Sequence, residues 1–357
     1  MSGVLAHKAA EASPERTVRE ELRAAHARAR HRIVVVCVSL AVVIAALFIA
    51  ALMAGSQVLT PGEAVGGITG TGAPSTVFVV RELRLPRALT AALVGLALGA
   101  AGTLFQRVLG NPLASPDFLG VSAGAGTVTA GALVLGGVSG LALPGFALLG
   151  GFGSAALIYA IAWRRGVSEY RFILVGIGVA TFASSITSYL VARAEFSDAR
   201  AALTWLTGSV GMATPELIAL LAGALVLFVP VGWAIARLLR RLELGEETAR
   251  MLGARVERDR FVILGAAVVL VSIATATVGP IMFIAMLAGP IAQVLLGSAG
   301  RSILAAALTG AVLMQSADLI AQHALPWPIS TGVVTGVFGA PYIAAMLIRT
   351  ARKAQIR

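Results

Sequence analysis

The chain has 357 residues, 58% of them hydrophobic and 13% charged, with a mean hydropathy of +0.89; a soluble domain carries about a quarter charged residues, so that class is excluded. The formal net charge is +11, but the basic residues stand between long uncharged tracts and form no patch that would suit nucleic acid. Cys37 is the single cysteine, which leaves no disulfide framework and no cysteine-based metal site.

In chain order, a charged tail over 1–32 comes first, with seven basic and four acidic residues. It and the apolar tract behind it are too long for a signal peptide; the tail reads as disordered in preference to a membrane-surface helix. A hydrocarbon core of about 30 Å takes roughly 20 helical residues to cross. On that measure, apolar tracts and their breaks place helices at 33–54, 88–109, 118–138, 145–163, 171–192, 216–236, 261–278, 281–296, 302–323 and 331–348. The tract from Phe118 to Trp163 is uncharged and long enough for two crossings, with Gly140, Pro144 and Gly145 at its centre for the turn. None of these tracts alternates in polarity as a barrel strand would.

The expected class is an all-α polytopic membrane protein of about ten helices. It divides into a tail over 1–32, a transmembrane domain over 33–350 and a tail over 351–357. Ten crossings put both termini on one side, and that side then holds 23 of the 28 Lys and Arg, leaving Arg81, Arg84, Arg87, Arg193 and Arg200 on the other. Positive residues mark the cytoplasmic side, so both termini are expected there, in the inner membrane. Five crossings in each half set the halves in opposite orientation, as in inverted-repeat transporters. Gly95 and Gly99, Gly120 and Gly124, and Gly332 and Gly336 are spaced for close helix contact.

The absences also inform. Lys8 and Lys353, the two lysines, lie in the tails, so no phosphate-binding loop of the glycine-lysine kind is present. His7, His26, His31 and His323 show no metal spacing within a span, and Asp318 is the one acidic residue well inside one. Ion-coupled carriers keep several buried ionisable groups. A partner is therefore expected to supply the energy.

The longest basic-side loop, 237–260, carries seven basic and five acidic residues. Gly245 interrupts it, and Glu246 to Leu252 reads as a short helix, acidic at its start and basic near its end, which suits the helix dipole; Gly253 supplies a stop. The phrase Leu244-Gly-Glu-Glu-Thr-Ala-Arg-Met-Leu-Gly253 resembles the coupling loop of the FecCD/BtuC family of ABC importer permeases. Further blocks resemble that family in the same order: Arg84-Leu-Pro-Arg87, Asn111-Pro-Leu-Ala114, Leu119-Gly-Val-Ser-Ala-Gly124, Trp205-Leu-Thr-Gly208, Gly279-Pro-Ile281 with Phe283, Ala317-Asp318, and Gly332-Val-Val-Thr335 with Gly339-Ala-Pro341. They span about 80 to 350, and Gly297-Ser-Ala-Gly300 is most similar to permeases of the ferric-enterobactin type.

The resemblance implies a BtuC-like, type II importer arrangement and a non-catalytic transport subunit for ferric-siderophore complexes. It binds no cofactor itself, since ATP and magnesium belong to separate ATPase subunits. Other implied partners are a second permease subunit, different from this chain by preference, and a periplasmic or lipid-anchored binding protein. Gly245, Glu246, Glu247, Ala249, Arg250 and Gly253 would meet the ATPase, and Arg84 and Arg87 the binding protein. Asn111 and Pro112 read as a structural turn, Asp318 as a hydrogen-bonded structural group before a cargo contact, and Ser122, Thr127 and Thr129 as pathway or helix-packing hydroxyls. Several positions depart from the family pattern: Gly289-Pro290-Ile-Ala-Gln293 where Pro-His or Pro-Gln and an arginine are usual, Gln322 for another arginine, and Pro328-Ile329-Ser330 for Glu-Leu-Pro. Cobalamin or haem is the alternative cargo, and an ion-coupled secondary transporter the alternative class.

Overall fold

A computed structural model describes residues 14–117, 119–163 and 169–355, and the elements in it are helical. In chain order they begin with α1 (Pro14–Met53), α2 (Pro61–Thr69), α3 (Pro74–Phe78), α4 (Leu85–Val108), α5 (Val121–Gly136), α6 (Leu143–Ala162) and α7 (Glu169–Arg193). Then follow α8 (Phe196–Thr207), α9 (Pro215–Leu242), α10 (Glu246–Met251), α11 (Val256–Val278), α12 (Ile284–Leu296), α13 (Ile303–His323) and α14 (Thr331–Gln355). A helix stands at each of the ten expected positions: α1, α4, α6, α7, α9, α11 and α13 are long and apolar enough to span, and α5, α12 and α14 are shorter apolar helices.

Two expectations change. Residues 14–32 are not a disordered tail, because α1 begins at Pro14 and runs unbroken into the apolar tract. The stretch between α7 and α9 holds a further helix, α8, whose Ala202 and Trp205 are buried. His7 and Lys8, with the arginines at Arg164 and Arg165, lie outside the described residues.

Local chemistry explains the element ends. Thr60 and Glu63 form a reciprocal capping box at the start of α2, which satisfies otherwise orphaned N–H groups. Between α3 and α4 the helix widens into a π-helical turn over Val79–Arg84, where the Leu85 N–H donates to Val80; Pro86, one residue on, has no N–H to continue the ladder. Two arginines of this turn close other helices. Arg81 donates to the Ile68 carbonyl, and Arg84 to the carbonyls of Leu52, Met53 and Gln57, groups that a helix C-terminus leaves free.

The core is built around α4 and α11, with α13 antiparallel to α4. Glycine makes that approach possible: a Cβ at Gly99 would overlap the Ala306 carbonyl, and one at Gly310 the Gly95 carbonyl. Pro290 inside α12 cannot donate to Met286, four residues earlier, and the Gln106 side chain of α4 donates to that carbonyl instead, at 2.9 Å. The faces of α1, α7 and α9 stay open, with Val42, Phe182 and Leu227 all more than 60% exposed, as lipid or a membrane partner requires.

Candidate functional site

At one end of the bundle α10 stands off as a single short helix. Gly245 enters it at φ 91° and Gly253 leaves at φ 78°, left-handed values that glycine adopts without strain. No atom lies within 4 Å of a Cβ built at either, so their role is conformational. Ala249 is buried against Ala254, Val256 and Leu242, which seats the helix.

Carboxylates tie the segment down on both sides. Glu243 accepts from Arg107 at the end of α4, Nε to Oε1 at 2.9 Å and Nη2 to Oε2 at 3.2 Å, and lies 3.7 Å from Arg301 before α13. Glu246 pairs with Arg250 one turn on, at 3.2 Å, and with the buried Arg260 of α11 at 2.6 Å. The outward face is left apolar and acidic: Leu244, Met251 and Leu252 are 55%, 80% and 63% exposed, beside the exposed Glu247. Apolar side chains this exposed, past the end of a span, suit a protein partner.

The opposite rim is organised by Asp318. Its carboxylate accepts from Arg87 Nε and Nη2 at 3.0 and 2.9 Å, from Gln322 Nε2 at 2.7 Å and from the Thr331 hydroxyl at 2.9 Å. One buried acid thus joins α4, α13 and α14. Beside it the Ser209 N–H donates to Val278 at 2.7 Å and the Gly332 N–H to Gly208 at 3.1 Å. The blocks Trp205–Gly208, Gly279–Ile281 and Gly332–Thr335, far apart in sequence, converge here. Arg87 and Arg107 are twenty residues apart on α4, about 30 Å at 1.5 Å per residue, so the two ionic clusters sit one hydrocarbon thickness apart.

Between α4 and α5, Asn111 accepts the Leu113 N–H at 2.9 Å and so closes its own turn. Asp117 follows, accepting from Ser122 at 2.8 Å and Ser115 at 3.2 Å. Burial pushes its carboxyl up to about 6 against those two hydrogen bonds. The loop borders an apolar cavity of about 440 Å³ shared with α7, α12 and α14, whose wall includes Ile177, Phe283 and Ile343. Phe283 is the one described non-glycine residue at positive φ, 72°. Along the unburied face of α7, Thr181, Ser184, Ser185 and Ser188 are exposed; three- and four-residue spacing puts them on one stripe. Thr181 and Ser185 donate to carbonyls of their own helix.

Of the residues singled out in the sequence, Gly245, Glu246, Glu247, Ala249, Arg250 and Gly253 fall together around α10. Asn111 and Pro112 lie in the α4–α5 loop and Ser122 in the first turn of α5, and Asp318 lies at the far rim with Arg87. Arg84 and Arg87 are not free rim cations, since carbonyls and Asp318 already occupy their guanidinium groups. Thr127 bonds across to the Ala183 carbonyl and Thr187 of α7. The Thr129 hydroxyl is buried without a partner. Sequence reasoning did not find the Arg107–Glu243–Arg301 cluster, because its members are 136 and 58 residues apart. It also passed over the α7 stripe, for which the run Ala-Ser-Ser-Ile-Thr-Ser over 183–188 was a legible signal.

A bundle of apolar helices, seven of them long enough to span, with one short helix held off its end, defines a polytopic helical membrane protein. The profile of the FecCD transport family matches residues 42–349. The ferric enterobactin transport system permease protein FepG of Escherichia coli K12 is 36% identical over 323 residues, 90% of this chain and 98% of that protein. The achromobactin transport system permease protein CbrC of Dickeya dadantii is 34% identical over 318 residues, 87% of this chain and 91% of its own length. The fold is also that of a metal-chelate type ABC transporter solved in an inward-facing conformation, with TM-score 0.76 and 24% identity over 88% of this chain and 98% of the other. The chain belongs to the FecCD transport family: it is a multi-pass permease subunit of an ABC importer, and membership sets aside the ion-coupled carrier.

Proposed function

We propose that this permease moves ferric-siderophore complexes inward across the cytoplasmic membrane, with α10 facing the cytoplasm and seated on a separate ATPase subunit. The observation that carries this reading is the α10 segment itself, a short helix pinned inward by Glu243 and Glu246 and presenting Leu244, Glu247, Met251 and Leu252 outward. A binding protein delivers cargo at the Asp318 rim, and Arg81, Arg84, Arg87, Arg193 and Arg200 are the basic residues expected on that side. A second permease, different from this chain by preference, faces α7 and α14. The hydroxyl stripe Thr181, Ser185 and Ser188 then lines the path, because hydroxyls on an unburied helix face suit water better than lipid.

Iron cargo is supported by the names of the relatives, which concern ferric enterobactin, achromobactin and ferric citrate. The test is uptake of radiolabelled ferric enterobactin into proteoliposomes holding this chain, its permease partner, the ATPase subunit and binding protein. Uptake should require ATP, stop with orthovanadate and survive an uncoupler. Uptake of cobalamin or haem in place of the ferric complex would overturn the cargo, and uptake without the ATPase would overturn the whole reading.

A further inference from the structure

The helix α1 begins at Pro14, 28 residues before the family profile starts at residue 42. From Ile33 to Met53 the helix carries no charge, and those 21 residues rise about 31 Å, the thickness of the hydrocarbon layer. The ten residues before Ile33 include Arg23, Arg28, Arg30 and Arg32, with two histidines and no acid; Glu20 and Glu21 come next outward. Arg30 and Arg28 therefore stand about 4.5 and 7.5 Å beyond the hydrocarbon edge, within the headgroup layer of about 5–8 Å per leaflet.

The helix is held in that register. Arg32 Nη2 donates to the Leu295 carbonyl at 3.2 Å, and Ile33, Val36 and Cys37 pack on α12 and α13. The rest of α1 faces outward, with Val34, Val38 and Val42 more than half exposed. Arg23 and Arg30, seven apart, share one flank, and Arg28 and Arg32, four apart, share the other. Arg23, Arg28 and Arg30 are exposed, and Arg28 donates to the Ala24 carbonyl of its own helix, at 3.4 Å. We infer that Arg28 and Arg30, reinforced at longer range by Arg23, form a collar binding the headgroups of anionic phospholipids around the outer face of α1. A polybasic segment directly beside a span has this affinity in general, at the leaflet its charges face.

The discriminating experiment is native mass spectrometry of the full chain in detergent, titrated with phosphatidylglycerol or phosphatidylcholine. The wild type should prefer phosphatidylglycerol, and each arginine in the headgroup layer contributes about fivefold at low salt. R23Q/R28Q/R30Q should lose most of the preference, while R28K/R30K should keep it. Raising the salt on the wild-type chain should erode the preference as well, so the idea remains testable if the triple variant inserts poorly. An unchanged preference in the triple variant, or a salt-insensitive one in the wild type, overturns the collar. So does a triple variant that binds phosphatidylglycerol normally but no longer copurifies with the ATPase subunit, since the segment would then be a protein-docking arm. None of these readouts depends on cargo or on ATP-driven uptake.

Discussion

Asp318 accepts hydrogen bonds from three side chains on three helices, Arg87, Gln322 and Thr331, and its neighbours define what each substitution removes. Arg87→Ala strips the one cation that pairs, among the described residues, with a carboxylate that is 4% exposed; breaking such a pair costs about 3 kcal/mol. The expected result is a clearly lower unfolding temperature in detergent, with partial recovery in R87A/D318N, where no charge is left unpaired. Asp117 behaves in the opposite sense. Its folded-state carboxyl lies near 6, above the ordinary 3.8, so the ionised form is the disfavoured one. Its penalty is absent below about pH 4 and grows as pH rises through 6. Asp117→Asn should therefore stabilise the protein by about 2 kcal/mol at pH 8 and by nothing at pH 4, read from urea or thermal unfolding at the two values. A stability gain from Asp117→Asn that is the same at both values would contradict the raised carboxyl.

At the scale of elements, α10 is joined to α4 and α13 through Glu243 and to α11 through Glu246. At Gly99 and Gly310 α4 and α13 touch backbone to backbone, with no side-chain layer between them. Glu243→Gln should uncouple uptake from ATP hydrolysis, lowering cargo moved per ATP while the ATPase still copurifies. R107E/E243R should restore part of that ratio, since Arg301 remains to be satisfied; a wild-type ratio in Glu243→Gln would remove the linkage. Glu246 faces Arg260 inside, so reversing Glu246 and Arg250 disrupts the seat of α10 and not only its docking face. The outward residues are the cleaner probe: M251E/L252E should leave insertion and folding intact and abolish copurification with the ATPase.

For the whole molecule, the spans were legible because the hydrocarbon layer imposes its own length on the sequence, and seven charge-poor tracts of that length, together with three shorter ones, are hard to mistake. The α10 segment was legible too, through Gly245, the acid-to-base order of Glu246 to Arg250, and Gly253. These are local rules, read over a few residues. What only the tertiary structure decided are the pairings: Arg107 with Glu243, Arg87 with Asp318, Gln106 with the carbonyl that Pro290 leaves free. Charge alone says that a buried acid needs a partner, but helices crossing a bundle bring together residues more than a hundred positions apart, and spacing in the chain holds no record of which ones meet. The fate of residues 14–32 was decided the same way: a charged run with weak apolar periodicity reads as disorder on its own, and becomes helix as the continuation of a span that is already nucleated.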